Sequence, residues 1–162
     1  MPVQDHLPFG YQLRRAQYAY RLALERALEP TGVTAPQFAV LALLQGTPGL
    51  SNAELARQSL ITPQTMHVIL GRLQAAGLVA RRAHPGHGRI LLADLTPAGQ
   101  AVLSQCLSRA AAVEACLLAP LDPHQRPVLL DALARVGDAL TRWAPPPPHP
   151  SGTAEGPRVD PT

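Results

Sequence analysis

The chain has 162 residues with 14 Arg and 11 Asp or Glu, a size that suits one core-forming domain with an added oligomerisation element. Ala and Leu dominate, aromatic residues make up only 4% and β-branched residues are sparse, so helix is the expected secondary structure. There is no Lys, and residues 51 to 99 hold Arg57, Arg72, Arg81, Arg82 and Arg89 against Glu54 and Asp94, while the remainder balances nine Arg against nine acids; such a local excess points to a polyanion as partner.

Met1 to Arg15 lacks the apolar core of a signal peptide, and the longest uncharged stretch, Pro30 to Ala53, is broken by Pro36, Gln37, Gly46 and Pro48. The expectation is a cytoplasmic chain with no membrane partner. No phosphate-cradling Gly-Lys motif, nucleophile elbow or cluster of acids is present, which argues against an enzyme and implies no cofactor.

In chain order, Phe9, Leu13, Ala16, Tyr20, Leu24 and Leu28 recur at helical spacing and predict a first helix that stops at Pro30-Thr31-Gly32. A second opens on Thr34 and Gln37 in capping-box spacing, is apolar nearly all round through Phe38 to Leu44, and ends at Gly46. Ser51 and Glu54 cap a short third helix to about Gln58, and Thr62-Pro63 opens a fourth that Gly77 closes. Only Ser59-Leu60-Ile61 separates them, which is helix-turn-helix spacing. Leu78 to Arg82 and Arg89 to Leu95 read as strands joined by a tip over Ala83 to Gly88. Thr96-Pro97 starts a long helix to about Leu118, and Asp122-Pro123 with Gln125 opens a sixth to about Trp143. From Ala144 onward a Pro/Gly/Ser-rich end reads as a disordered tail.

The expected fold is therefore mainly α, six helices plus a β-hairpin wing. Its divisions are an N-terminal dimerisation helix (1–33), a winged helix-turn-helix (34–99), C-terminal dimerisation helices (100–143) and the tail (144–162). The dimer follows from length and pattern: a helix from Pro97 to Leu118 extends about 33 Å, more than a lone winged helix needs, and Val102, Leu103, Leu107, Ala110, Val113 and Leu117 require cover. Leu129, Leu130, Leu133, Val136, Leu140 and Trp143 offer a matching face. Two-fold symmetry would set two fourth helices about one DNA turn apart.

On the fourth helix, Met66, Ile69, Leu70 and Leu73 form the face to be buried. The opposite face presents Thr62, Gln64, Thr65, His67, Val68 and Arg72, polar and slim enough to enter a major groove. Gln64 suits adenine and Val68 a thymine methyl, although any solvated helix also shows polar residues opposite its apolar stripe. Arg89 suits a narrow minor groove. Arg81 and Arg82 alternate across their strand, so one of the two faces phosphate, and the sequence leaves open which.

The runs Asn52-Ala53-Glu54-Leu55-Ala56, Thr62-Pro63-Gln64-Thr65-Met66-His67, Leu73-Gln74-Ala75-Ala76-Gly77-Leu78-Val79-Ala80-Arg81-Arg82 and Leu95-Thr96-Pro97-Ala98-Gly99 together resemble the MarR family of winged-helix regulators, a similarity that spans about Phe9 to Trp143. The resemblance implies an obligate homodimer, interlocked through its terminal helices, that binds pseudo-palindromic double-stranded DNA as a transcriptional regulator. Release by a small-molecule effector or by oxidation is implied as well. It places Thr62, Gln64, Thr65, His67 and Val68 on recognition-helix contacts and Arg89 at the wing-tip arginine. Two departures stand out: His87 occupies the place of the usual acid two residues before that arginine, and the basic residue often found at the Val68 position is missing. A pH-sensitive wing is one consequence.

An effector cleft between lobe and dimer helices would draw walls from the first, second and fifth helices, with Phe9, Tyr20 and Phe38 as candidates, each equally suited to core packing. His84 and His87 lack a third ligand, so no metal is expected there. Cys106 and Cys116 lie ten residues apart in one helix, about 15 Å along its axis, too far to pair with each other. Both are expected to be buried packing thiols, with oxidation sensing as the rival role. Because winged helices also serve as protein-binding modules, the fold alone does not assign DNA.

Overall fold

Apolar residues three or four places apart give α1 (Phe9–Leu28) one inward face, which buries Leu24 and Leu28. A short 3-10 turn over Glu29–Thr31 ends it, with Gly32 in the left-handed region at φ 69°. In α2 (Ala35–Gly46) the Gln37 side chain accepts from the Thr34 N–H at 2.9 Å. Its Val40, Leu41 and Leu44 are fully buried, with Leu43 and Ala42 packed against the same cluster. The apolar character of α2 on every side is thus explained by a central position.

The chain then forms a strand too short to announce itself by alternation, β1 (Leu50–Ser51). Helix α3 (Asn52–Gln58) is capped reciprocally: Ser51 N–H donates to Glu54 Oε2 at 2.8 Å and Glu54 N–H donates to Ser51 Oγ at 3.3 Å. Three residues later Thr62 caps α4 (Pro63–Ala75), its Oγ1 accepting from Thr65 N–H. The last turn of α4 closes through Gly77 at φ 71°, with Leu78 N–H on Leu73 O and Gly77 N–H on Gln74 O. These two bonds satisfy carbonyls that a helix end otherwise leaves open.

Strands β2 (Val79–His84) and β3 (His87–Leu95) form the wing, and β1 pairs with the far side of β3, giving an antiparallel sheet of order β1-β3-β2. The hairpin is longer than the sequence suggested. The expected tip over Ala83 to Gly88 contracts to Pro85-Gly86, because backbone pairing needs no apolar pattern and continues to His84↔His87. The ladder does slip: Ala83 faces Leu91 while His84 faces His87, so Gly88, Arg89 and Ile90 swell out of register on β3.

A knot of hydrogen bonds joins wing and long helix. Thr96 Oγ1 donates to Gly77 O at 2.7 Å and accepts from Gly99 N–H at 3.0 Å, while Thr96 N–H reaches Leu78 O. Helix α5 (Pro97–Leu118) follows and buries Leu103, Cys106 and Ala110 in the core shared with α1 and α2. By length and composition alone α5 would pass as a membrane span, with mean hydropathy 1.4; its buried stripe lies in the protein core instead.

The computed structural model describes residues 8–143, so the proline-rich segment expected from Ala144 onward lies outside the described residues. Those described fall into two compact units, the first ending at Pro120 and the second beginning at Leu121. In the second, Asp122 N–H donates to Gln125 Oε1 at 2.9 Å where α6 (Gln125–Arg142) begins. Helix α6 has no buried residue, and its Leu129, Leu133 and Leu140 are exposed.

Candidate nucleic-acid interface

The buried face of α4 fixes what its other face presents. Met66, Ile69, Leu70 and Leu73 are in the core, which leaves Gln64, Thr65, His67, Val68 and Arg72 exposed on the outer side. Val68 is an apolar side chain 52% open to solvent. Two of the expected contact residues have local partners as well: Thr62 Oγ1 is the helix cap, and the Thr65 hydroxyl lies 2.9 Å from it. The positive end of the helix dipole still falls at this turn, a field that favours an anionic partner.

The two adjacent arginines separate cleanly. Arg82 turns to the base of the wing, where its Nε donates to Asp94 Oδ2 at 2.7 Å. Its guanidinium also lies over Gly49, whose φ of 76° is a left-handed conformation that favours glycine. Arg81 takes the opposite face of β2. It is half-buried, and among the described residues its Nη2 has no hydrogen-bond partner.

Arg81 opens into a cleft of about 370 Å³ between α3, α4 and the wing. His67 reaches it from α4, Arg89 and Ile90 from β3, and Ser51, Asn52 and Ala53 from the start of α3. Three of the sequence-derived residues, His67, Arg81 and Arg89, are therefore brought to one place. Arg72, farther along α4, and His87, at the wing tip, do not line it. Asn52 is an addition that sequence reasoning missed: its Nδ2 donates to Pro63 O at 3.0 Å and ties α3 to the first turn of α4, while its Oδ1 is buried in the cleft wall without a partner among the described residues. Only the odd choice of Asn immediately after a capping Ser could have signalled it.

At the tip, His84 Nδ1 accepts from Gly86 N–H at 3.0 Å and the His84 and His87 rings lie 5.3 Å apart between centroids. Below them, the hydrogen bonds from the Ser51 hydroxyl and N–H hold the Glu54 carboxyl below its ordinary range, with Arg57 and His84 adding smaller favourable charge effects. A depressed carboxylate stabilises the fold above its unfolded pKa and loses that contribution as pH falls through the folded value. The α3 cap is accordingly intact throughout the neutral range.

The first unit also holds a groove of about 580 Å³ between α1 and α5. Small side chains, Ala16, Ala19, Ala23 and Ala112 among them, line it together with Tyr20, Arg109 and Cys116. Of the three aromatic residues expected around an effector, Tyr20 lines this groove, Phe38 packs against the lobe core, and Phe9 is 68% exposed at the start of α1. The cysteines differ from expectation. Cys106 is buried, its Sγ 3.6 Å from Thr31 Oγ1, but Cys116 is exposed, because the small residues opposite it on α1 leave the helix pair open. The charge balance outside residues 51 to 99 is likewise a sum over unlike parts: α1 carries Arg14, Arg15, Arg21 and Arg26 against Glu25 alone.

Residues 31–90 match the family model described as MarR family. Over 127 residues, 78% of this chain and 91% of the relative, the sequence is 42% identical to the HTH-type transcriptional repressor Rv2887 of Mycobacterium tuberculosis. A crystal structure of that MarR family protein in complex with DNA is 37% identical, covers 81% of this chain and 98% of its own, and gives a TM-score of 0.67. Its complex with salicylic acid is 39% identical, covers 83% and 99%, and gives 0.65. The chain belongs to the MarR family of winged helix-turn-helix transcriptional regulators.

Proposed function

We propose that the protein is a cytoplasmic repressor that binds a pseudo-palindromic DNA operator as a homodimer and lets go when a small aromatic acid occupies the groove between α1 and α5. The observation that carries the DNA reading is the cleft where His67, Arg81 and Arg89 converge beside the exposed face of α4. In this arrangement Gln64, Val68 and His67 read base edges in a major groove, Arg81 and the α4 N-terminus hold phosphate, and Arg89 on its bulge reaches the adjoining minor groove. Arg72 adds backbone contact farther along the helix. The divisions 1–33, 34–99 and 100–143 are then two dimer-forming parts around one DNA-reading part.

The effector reading rests on the chemistry of the groove. Its walls are apolar, Tyr20 supplies a ring and a hydroxyl, and Arg109 supplies the only charge among the lining residues. A flat ring bearing a carboxylate matches that set, and the related Rv2887 protein has been crystallised with salicylic acid.

The test is selection of bound duplexes from a random pool, followed by titration of the winner at several salt concentrations. A two-fold-symmetric winner with steep salt dependence is expected, since each phosphate contact releases counterions. No enrichment, or binding indifferent to salt, would instead assign the lobe to a protein partner. Salicylate is expected to weaken the complex in wild type, and Arg109→Ala to abolish that response while leaving the affinity for DNA without salicylate within about twofold.

A further inference from the structure

We infer that the wing tip is a proton-operated grip: uptake of one proton by the His84–His87 pair strengthens the hold of the wing on a DNA phosphate. The inference rests on the DNA-binding reading above and adds regulation to the same surface.

Three observations at the tip combine. First, the wing ends in the tight sequence His84-Pro85-Gly86-His87, with the two rings 5.3 Å apart. Second, His84 Nδ1 is the acceptor for Gly86 N–H at 3.0 Å, which requires that nitrogen to be unprotonated in the folded turn. Third, His87 is exposed and two residues from Arg89, on the strand segment that bulges from the ladder.

Histidine ordinarily changes charge between about pH 5 and about pH 8. A proton arriving at His84 Nδ1 removes the acceptor of Gly86 N–H, and that N–H is then free to donate to a phosphate oxygen. A proton arriving at His87 sets a second positive group beside Arg89. Rings this close repel one another when both are charged, so one proton on the pair, not two, is the state that strengthens the grip. Either placement adds one positive charge per wing, and two per dimer, at the wing tip.

The surrounding groups leave the direction unchanged. From α3, Glu54 faces His84 and is ionised across the neutral range, with Arg57 beside it. From α4, His67 lies in the cleft with Arg81 and Arg89 of the wing strands. Arg82 is engaged with Asp94 at the wing base. Of these, only His67 is another imidazole, so it is the control.

The experiment is fluorescence titration of a selected duplex with full-length protein at constant ionic strength between about pH 8 and about pH 6, using wild type, His87→Gln, the double variant His84→Gln/His87→Gln, and His67→Gln. Wild type is expected to tighten about fivefold as the pH falls. His67→Gln should keep most of that gain, His87→Gln part of it, and the double variant less than about twofold. A Gly86 amide resonance that shifts over the same pH range in the free protein would report the turn bond directly. Normal selective binding with a flat pH profile, or a full profile in the double variant, overturns the switch and leaves the DNA reading standing. Absence of selective binding by wild type at every pH overturns both.

Discussion

In the winged lobe the chain covers the inner face of α4 and the foot of the wing: Met66, Leu70, Leu73 and Val79 are almost entirely shielded by neighbours from α2, α3 and the sheet. Along α1 and α5, in the same compact unit, Phe9, Leu107, Leu117 and the alanine-lined groove stay open. The charged groups diverge in the same way. Arg82 is tied to Asp94 at the foot of the wing, whereas Arg81 a residue earlier carries a buried guanidinium end with no partner among the described residues. Where the protein's own atoms complete a surface, substitution is expected to change stability. Where they leave it incomplete, substitution is expected to change binding and leave the fold in place.

The sharpest way to break this division is at Gly99. A Cβ there would collide with the backbone carbonyl of Leu78, which is held by the Thr96 knot and cannot retreat. Gly99→Ala is expected to lower unfolding stability by about 3 kcal/mol, read by thermal or denaturant melting. Gly71→Ala, at an exposed site on α4 with nothing within 4 Å of the added methyl, should raise it by about 0.5 kcal/mol. Equal melting curves for the two would mean that the wing base yields more readily than its hydrogen bonds indicate.

The arginine pair gives the next largest effect. Arg81→Ala and Arg89→Ala are each expected to weaken operator binding about tenfold with the dimer and melting curve preserved. Arg82→Ala should change affinity by less than about threefold, yet cost up to about 1 kcal/mol of stability, because its ion pair with Asp94 is partly exposed. The reverse ranking in a binding titration would place phosphate at the other face of β2.

Much of this architecture was legible because it is written in local chemistry. The capping pairs Ser51/Glu54 and Thr34/Gln37, the Pro63 start and the Gly77 stop each satisfy specific backbone groups, and all four mark helix ends in the structure. The buried stripe Met66, Ile69, Leu70 and Leu73 followed from spacing alone. What escaped was non-local. The strand Leu50–Ser51 exists only because β3 passes beside it. The choice between Arg81 and Arg82 depends on Asp94, twelve residues beyond Arg82. The exposure of Cys116 depends on the size of side chains on α1. Asn52 acquires its role from Pro63, eleven residues away. Spacing gives the face a side chain occupies, but its partner is set by which segments the fold brings alongside.

Leu60 tests whether the lobe is as complete as the comparison implies. It stands in the three-residue turn between α3 and α4 at φ 55°, the one non-glycine with positive φ among the described residues, and its side chain is 93% exposed. An L-residue in that region costs roughly 1–2 kcal/mol, while a glycine gives back about 0.5–1 kcal/mol through the freedom it adds to the unfolded chain. No apolar burial is lost on truncation, so Leu60→Gly is expected to stabilise the fold by about 0.5 kcal/mol, measurable as a small rise in melting temperature. The informative readout is the paired one. A more stable variant with unchanged operator affinity makes Leu60 a tolerated imperfection in a turn that takes no part in the contact. A more stable variant that binds less tightly makes the strained, protruding leucine part of the contact surface, because the strain would then persist for the sake of a group placed outward beside the N-terminus of α4.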